Sequence, residues 1–165
     1  MPENNPLVAI VMGSESDWDT MQRAHKTLAE FGVAHECRVL SAHRTPEALT
    51  DFIRDCEARG VEVFIAGAGL AAALPGCVAA FTTKPVLGVP LAAGALNGQD
   101  ALYAIVQMPP GIPVGTLAIG APGATNAALL AVSILANKRP ELDAALKAYR
   151  AKQAEKVLAA KLPCD

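Results

Sequence analysis

The chain is poor in aromatic residues, which make up 4% of it, so its interior must be filled by the Ala, Val, Leu and Ile that dominate a 52% apolar content. Small side chains favour closely packed helices, and part of that apolar surface can be shared between subunits. No block of like charge is present. Fourteen Lys and Arg are interspersed with 16 Asp and Glu, which argues against a nucleic-acid stripe or an anionic-membrane patch and leaves a small molecule as the expected partner. Cysteine is scarce: Cys37, Cys56, Cys77 and Cys164 show no CxxC pair and no metal-ligand spacing, so reduced thiols are expected and neither a metal nor another cofactor. No apolar run reaches the length of a membrane span, and the opening MPENNP lacks the basic stretch and apolar segment of a secretory signal, so a cytoplasmic protein is expected. GxSxG and HExxH are missing as well.

What is present is an alternation of apolar runs and helical stripes. Leu7 to Met12 reads as a strand. Met21, Ala24, Leu28 and Phe31 then recur at helical spacing up to Gly32. The unit repeats: strand at His35 to Leu40, helical face at Leu49, Phe52, Ile53 and Cys56 closing at Gly60, and a third strand at Val61 to Ala66 that is nearly all apolar, as when both sheet faces are covered. A helical stretch at Ala71 to Phe81, a strand at Pro85 to Val89, a helix at Gly98 to Gln107 and a strand at Val114 to Ile119 complete five core strands. Such βα alternation demands right-handed crossovers and a parallel sheet, so the expectation is a three-layer, doubly wound α/β domain of flavodoxin-like order. One catalytic domain over 1–165 is expected, with a core at about 7–137 and a helical tail at about 140–161. Ala127 to Ala136 is apolar nearly all round and should be buried, partly between subunits. Leu142, Ala145, Leu146 and Tyr149 form only one stripe, which suits packing on a neighbouring subunit and on its own sheet equally.

In doubly wound sheets ligands bind beyond the carboxyl ends of the strands. The first such loop, Gly13-Ser14-Glu15-Ser16-Asp17, offers hydroxyls and a helix start that favours a phosphate; it is no P-loop, and it would serve equally as a plain cap with Ser16 or Asp17 at the N-cap. The second is Ser41-Ala42-His43-Arg44-Thr45-Pro46, with Thr45 and Pro46 as N-cap and first helical residue. A histidine beside a helix N-terminus sits in a positive field that disfavours a further proton, which suits a proton acceptor, and Arg44 can hold a phosphate with its planar fork. By itself such a pair is as often structural as catalytic. His25 and His35 read as surface residues. The third loop, Gly67 to Ala72, matches GxGxxA, but it is not on the first strand and Val86 to Val89 supply no acidic partner, so dinucleotide binding is rejected in favour of close backbone approach to a smaller ligand. Gln107 to Val114 is too rich in proline for a helix and should form a rigid wall or lid.

Together GSESD, SAHRTP, AGAG, LPG, GVP, QMPPGIPVGTLAIG and NAALLA, in this order between about Leu7 and Leu158, resemble class I N5-carboxyaminoimidazole ribonucleotide mutase, the bacterial PurE family. The resemblance implies an isomerase of de novo purine (IMP) biosynthesis. It would interconvert N5-carboxyaminoimidazole ribonucleotide and 4-carboxyaminoimidazole ribonucleotide by decarboxylation, trapping of CO2 and recarboxylation, with His43 as general acid and base. It further implies Ser14 and Asp17 at the ribose phosphate, Arg44 at the phosphate, Ser41 with the Gly67 to Gly69 backbone as pocket wall, and a homo-octamer with sites between subunits.

The family's class I pattern in the third loop is AGGAAHLPGM, whereas this chain carries Leu70, Ala73 and Cys77 in place of a glycine, a histidine and a methionine. A helical segment would put the three on one face. Two other readings therefore compete with the mutase. Class II enzymes, which carboxylate aminoimidazole ribonucleotide with CO2, also lack a histidine at the position of Ala73, although SAHRTP and QMPPGIPV are class I in character and class II has lysine where Arg44 stands. An oligomeric scaffold impaired in catalysis is the third, against which stands the joint presence of His43, Arg44, Ser14 and Asp17.

Overall fold

The computed structural model describes residues 5–163, which leaves Cys164 and the first four residues of MPENNP outside. Five parallel strands, β1 (Val8–Met12), β2 (His35–Val39), β3 (Val63–Gly69), β4 (Val86–Leu91) and β5 (Gly115–Thr116), form one sheet in the order β2-β1-β3-β4-β5. Six helices connect and cover it: α1 (Trp18–Glu30), α2 (Pro46–Ala58), α3 (Leu74–Phe81), α4 (Gln99–Val106), α5 (Ala121–Ala136) and α6 (Pro140–Leu158). This is the flavodoxin-like order, and its switch point lies where β1 stands between β2 and β3.

Alternate residues of the central strands feed two cores, because successive side chains leave a strand on opposite faces. Val8, Ile10, Met12, Val63 and Ile65 pack with α1, α5 and α6, while Ala9, Val11, Phe64 and Ala66 pack with α2, α3 and α4. β1, β3 and β4 are buried almost throughout, as their unbroken apolar runs predict; β2 is half-exposed because it is an edge. The small-residue composition acts where α1 meets the sheet: a Cβ on Gly67 would lie 2.4 Å from Met21 Sδ, so glycine is what lets the helix settle there.

Three expectations are corrected. The helix at Ala71 to Phe81 starts only at Leu74, with Pro75 in its first turn, and Leu70 and Ala72 have φ of 56° and 43°, outside any right-handed helix. Leu70, Ala73 and Cys77 therefore do not share a helical face. The fifth strand shrinks from Val114 to Ile119 to two residues; beyond them the chain keeps only single bonds to β4, from Leu117 N–H to Gly88 O (2.9 Å) and Gly120 N–H to Pro90 O (2.8 Å). The third strand runs two residues later at its start and three at its end than its apolar run suggested. The α5 helix buries one face, Ala124, Ala127, Ala128, Ala131, Val132 and Leu135, and leaves Leu130 exposed. The α6 stripe packs within the chain, with Leu142 and Leu146 in the α5 core and the Tyr149 ring tilted against Phe31 at 5.6 Å, while Val157 and Leu158 project from the surface. Among the described residues no helix is long and apolar enough to cross a membrane.

Candidate active site

Three loops at the carboxyl ends of β1, β2 and β3 enclose a cleft of about 590 Å³ at the switch point. The first loop is tied down by a reciprocal cap. Ser14 caps a 3-10 turn at Glu15–Asp17, its hydroxyl accepting from Ser16 N–H (3.4 Å), while Ser14 N–H donates to Asp17 Oδ2 at 2.9 Å. Ser14 thus caps the 3-10 turn, while Asp17 holds the N-cap position of α1 without a capping side-chain bond; Ser16 caps neither. Burial pushes the Asp17 carboxyl above its ordinary value, opposed by the backbone N–H groups of Ser14 and Gly13 and by the Arg44 charge.

The second loop is closed by Thr45. It occupies the N-cap position of α2 but makes no capping bond; its hydroxyl instead accepts from Ser41 N–H (2.9 Å) and donates to Ser41 O (3.1 Å). That pinch lifts His43 and Arg44 to the apex. Arg44 then spans the cleft floor, donating from Nη2 to Gly13 O at 2.7 Å and from Nε to Ser41 Oγ at 3.3 Å, which fixes the first two loops relative to each other. His43 is exposed and makes no side-chain hydrogen bond to any described residue, so both ring nitrogens face the cleft or solvent unengaged.

The third loop supplies an apolar wall from Ala68 to Leu74. Of the seven residues singled out in the sequence, Ser14, Asp17, Ser41, His43, Arg44 and Gly69 line this one cleft. Gly67 does not: it is buried against Met21, so the close approach it permits is to α1. Ser16, the other hydroxyl of the first loop, also lines the cleft and joins Ser14 through their hydroxyls at 3.0 Å. Ala93, from the loop after β4, escaped the sequence reading; the rule of searching strand carboxyl ends, applied to β4 as well, finds it. The proline-rich segment lies elsewhere, with Gly111, Ile112 and Pro113 beside a hollow that also takes in Thr82 to Val86.

The AIR carboxylase family profile matches residues 7–156. The chain belongs to the AIR carboxylase family. N5-carboxyaminoimidazole ribonucleotide mutase of Vibrio cholerae is 57% identical to it over 151 residues, which are 92% of this chain and 94% of that protein. A bifunctional purine synthesis protein purC/E of Dictyostelium discoideum is 54% identical over 98% of this chain, which spans only 16% of that much longer protein. Among solved structures, Treponema denticola PurE superposes with a TM-score of 0.85 at 31% identity, over 93% of this chain and 94% of that one. Within the AIR carboxylase family pattern quoted above, Leu70 stands out structurally. It occupies left-handed backbone where the pattern has glycine, its side chain is 56% exposed, and its Cδ2 lies 2.9 Å from where a Cβ on Gly94 would be.

The structure also changes the reading of the other two histidines. Neither is a plain surface residue: His25 Nδ1 and His35 Nε2 are 2.8 Å apart, His35 Nδ1 meets Val33 O at 2.7 Å, and the His25 ring lies 5.6 Å from Trp18.

Proposed function

We propose that this chain interconverts N5-carboxyaminoimidazole ribonucleotide and 4-carboxyaminoimidazole ribonucleotide in purine biosynthesis, with His43 moving the proton. The observation that carries the reading is an exposed, unengaged imidazole at the rim of a cleft with an anion-friendly floor and an apolar wall. The floor, Arg44 with Ser14, Ser16 and the 3-10 turn, suits a ribose phosphate; Asp17 can accept from a ribose hydroxyl. The wall of Ala68, Gly69, Ala71, Ala72 and Ala73 suits a small apolar CO2 held out of water beside the ring carbon.

Proton balance explains why one residue suffices. Breaking the exocyclic N–C bond releases CO2 and leaves a nitrogen that must gain a proton. Forming the new C–C bond leaves a ring carbon that must lose one. The reaction is an isomerisation with no net proton, so a single imidazole that gives its proton in the first half and takes one back in the second closes the cycle. Ser41, Gly67 and Gly69 serve this site as framework: Ser41 through its hold on Arg44, Gly69 at the wall, Gly67 by letting α1 seat beneath it.

The competing reading, direct carboxylation of aminoimidazole ribonucleotide by CO2, is favoured by the wall itself, where Leu70 and Ala73 stand in place of glycine and histidine. Ultraviolet-monitored turnover by the purified protein separates the two. Efficient use of N5-carboxyaminoimidazole ribonucleotide supports the mutase, preference for aminoimidazole ribonucleotide with high bicarbonate supports the carboxylase, and no turnover with either leaves the scaffold reading. The site is expected to be completed in a cytoplasmic homo-octamer, for which the exposed apolar residues Tyr103 and Val106 on α4 and Leu130 on α5 offer surface. A monomeric mass by light scattering at micromolar concentration would contradict that assembly.

A further inference from the structure

We propose that His25, His35 and Cys37 form a three-ligand site for a borderline-soft divalent cation, zinc(II) fitting best, which clasps helix α1 to the edge strand β2. One ligand atom from each of the three lies within 4.8 Å of the other two. The arrangement follows from the fold. His35 and Cys37 are two residues apart on β2 and so project from the same face, and α1, which covers that face, brings His25 over them. Spacing rules for zinc motifs miss such a set because its members come from a strand and a helix joined by a turn. The expectation of a chain without metal is thereby amended.

The hydrogen bonds orient the set for ligation. Val33 O can only accept, so His35 Nδ1 carries the hydrogen and its Nε2 presents a lone pair. That lone pair now faces His25 Nδ1 at 2.8 Å. A tetrahedral zinc with Zn–N near 2.0–2.1 Å needs its nitrogens about 3.3 Å apart, so the two rings must part by only about half an ångström. The balance of the step is simple: His25 moves its hydrogen from Nδ1 to Nε2, Cys37 releases one proton to solvent, and the cation gains two nitrogen bonds and one sulfur bond. All three side chains are half-buried rather than sealed, which leaves the fourth position to water. No other group of three His, Cys, Asp or Glu side chains among the described residues meets the same geometry. The site is remote from the cleft: His35 opens β2, whereas His43 lies beyond its other end.

The test uses the full chain, reduced, stripped with chelator and titrated with cobalt(II). The expected result is a sulfur-to-cobalt charge-transfer band saturating at one equivalent per chain, bleached by zinc(II), with parallel quenching of Trp18, the one tryptophan in the sequence. Cys37→Val and His25→Ala should each lose the band, and Cys77→Ala should keep it, with turnover unchanged in all three. Absence of the band in the unaltered chain overturns the proposal whether or not any variant folds. So does a band that survives in Cys37→Val.

Discussion

At the amino end of β2, His35 is half-buried, bonded to Val33 O and paired with His25; past its carboxyl end, His43 is exposed and bonded to nothing described. The same side chain thus meets two environments a few residues apart along one edge strand. Where its nitrogens are engaged, the ring is fixed and contributes to holding α1 against the sheet. Where they are free, it adds nothing to the fold and is available to a substrate. Backbone conformation divides the same way. Among the described residues, those with positive φ that are not glycine, Leu70, Ala72 and Asn97, lie in loops that follow β3 and β4; Leu70 and Ala72 line the cleft, and strain of this kind collects at working sites.

The sharpest way to break this comparison is His43→Asn. Loss of a positioned acid-base group costs about 10²–10⁴ in rate, and the variant should lose that much turnover while its unfolding free energy stays within about 0.5 kcal/mol of the parent. An active variant would remove His43 from the proposed role. The opposite pattern is expected at the other end. His25→Ala removes one hydrogen bond and the contact with Trp18, so chemical unfolding should show a loss of about 1 kcal/mol with metal absent, and steady-state turnover should not change. Loss of turnover there would mean that the two ends are coupled.

Leu70→Gly sharpens the strain half of the contrast. A left-handed leucine costs roughly 1–2 kcal/mol, and the greater freedom of glycine in the unfolded chain offsets about 0.5–1 kcal/mol of that, so the expected gain in stability is up to about 1.5 kcal/mol. The same change opens the wall toward Gly94, and Leu70→Gly with Ala73→His should lower KM for the mutase substrate if the bulk of Leu70 and the missing imidazole at Ala73 weaken its binding.

What could be read in the sequence follows from how local each signal is. Strands β1 and β4 and the helices α1 and α2 announce themselves by apolar period within one window. The cleft was legible too, because a topological rule names the loops and the loops contain the polar residues. The start of α3 was not: three alanines with high helix propensity precede it, but they belong to a turn with Leu70 and Ala72 at positive φ, closed by Ala72 N–H on Gly69 O at 3.0 Å. The end of β5 was hidden for a like reason, since its apolar residues continue beside β4 without a regular ladder. The His25–His35 pair joins residues ten apart on different elements, and no periodicity reports such a contact. Gly67 was read from its motif as a ligand contact, although the neighbour that requires it, Met21, lies far off in sequence.

The smallest predicted effect asks whether the cleft end sacrifices stability for charge. Asp17 is held above its ordinary value of 3.8 chiefly by burial, so between that value and its folded one the folded protein keeps a proton that the unfolded chain has released. Stability must therefore fall as pH rises through that window, and the penalty persists at neutral pH. Asp17→Asn removes the titration and still offers a carbonyl to Ser14 N–H. The variant should gain on the parent as pH rises, being more stable relative to it at pH 7 than at the lowest pH where both stay folded, as urea unfolding at the two values will show. A gain confined to low pH would mean instead that Arg44 and the two backbone amides outweigh burial. The carboxylate would then be a stabilising part of the first loop, and the contrast between a working end and a holding end of β2 would rest on His43 alone.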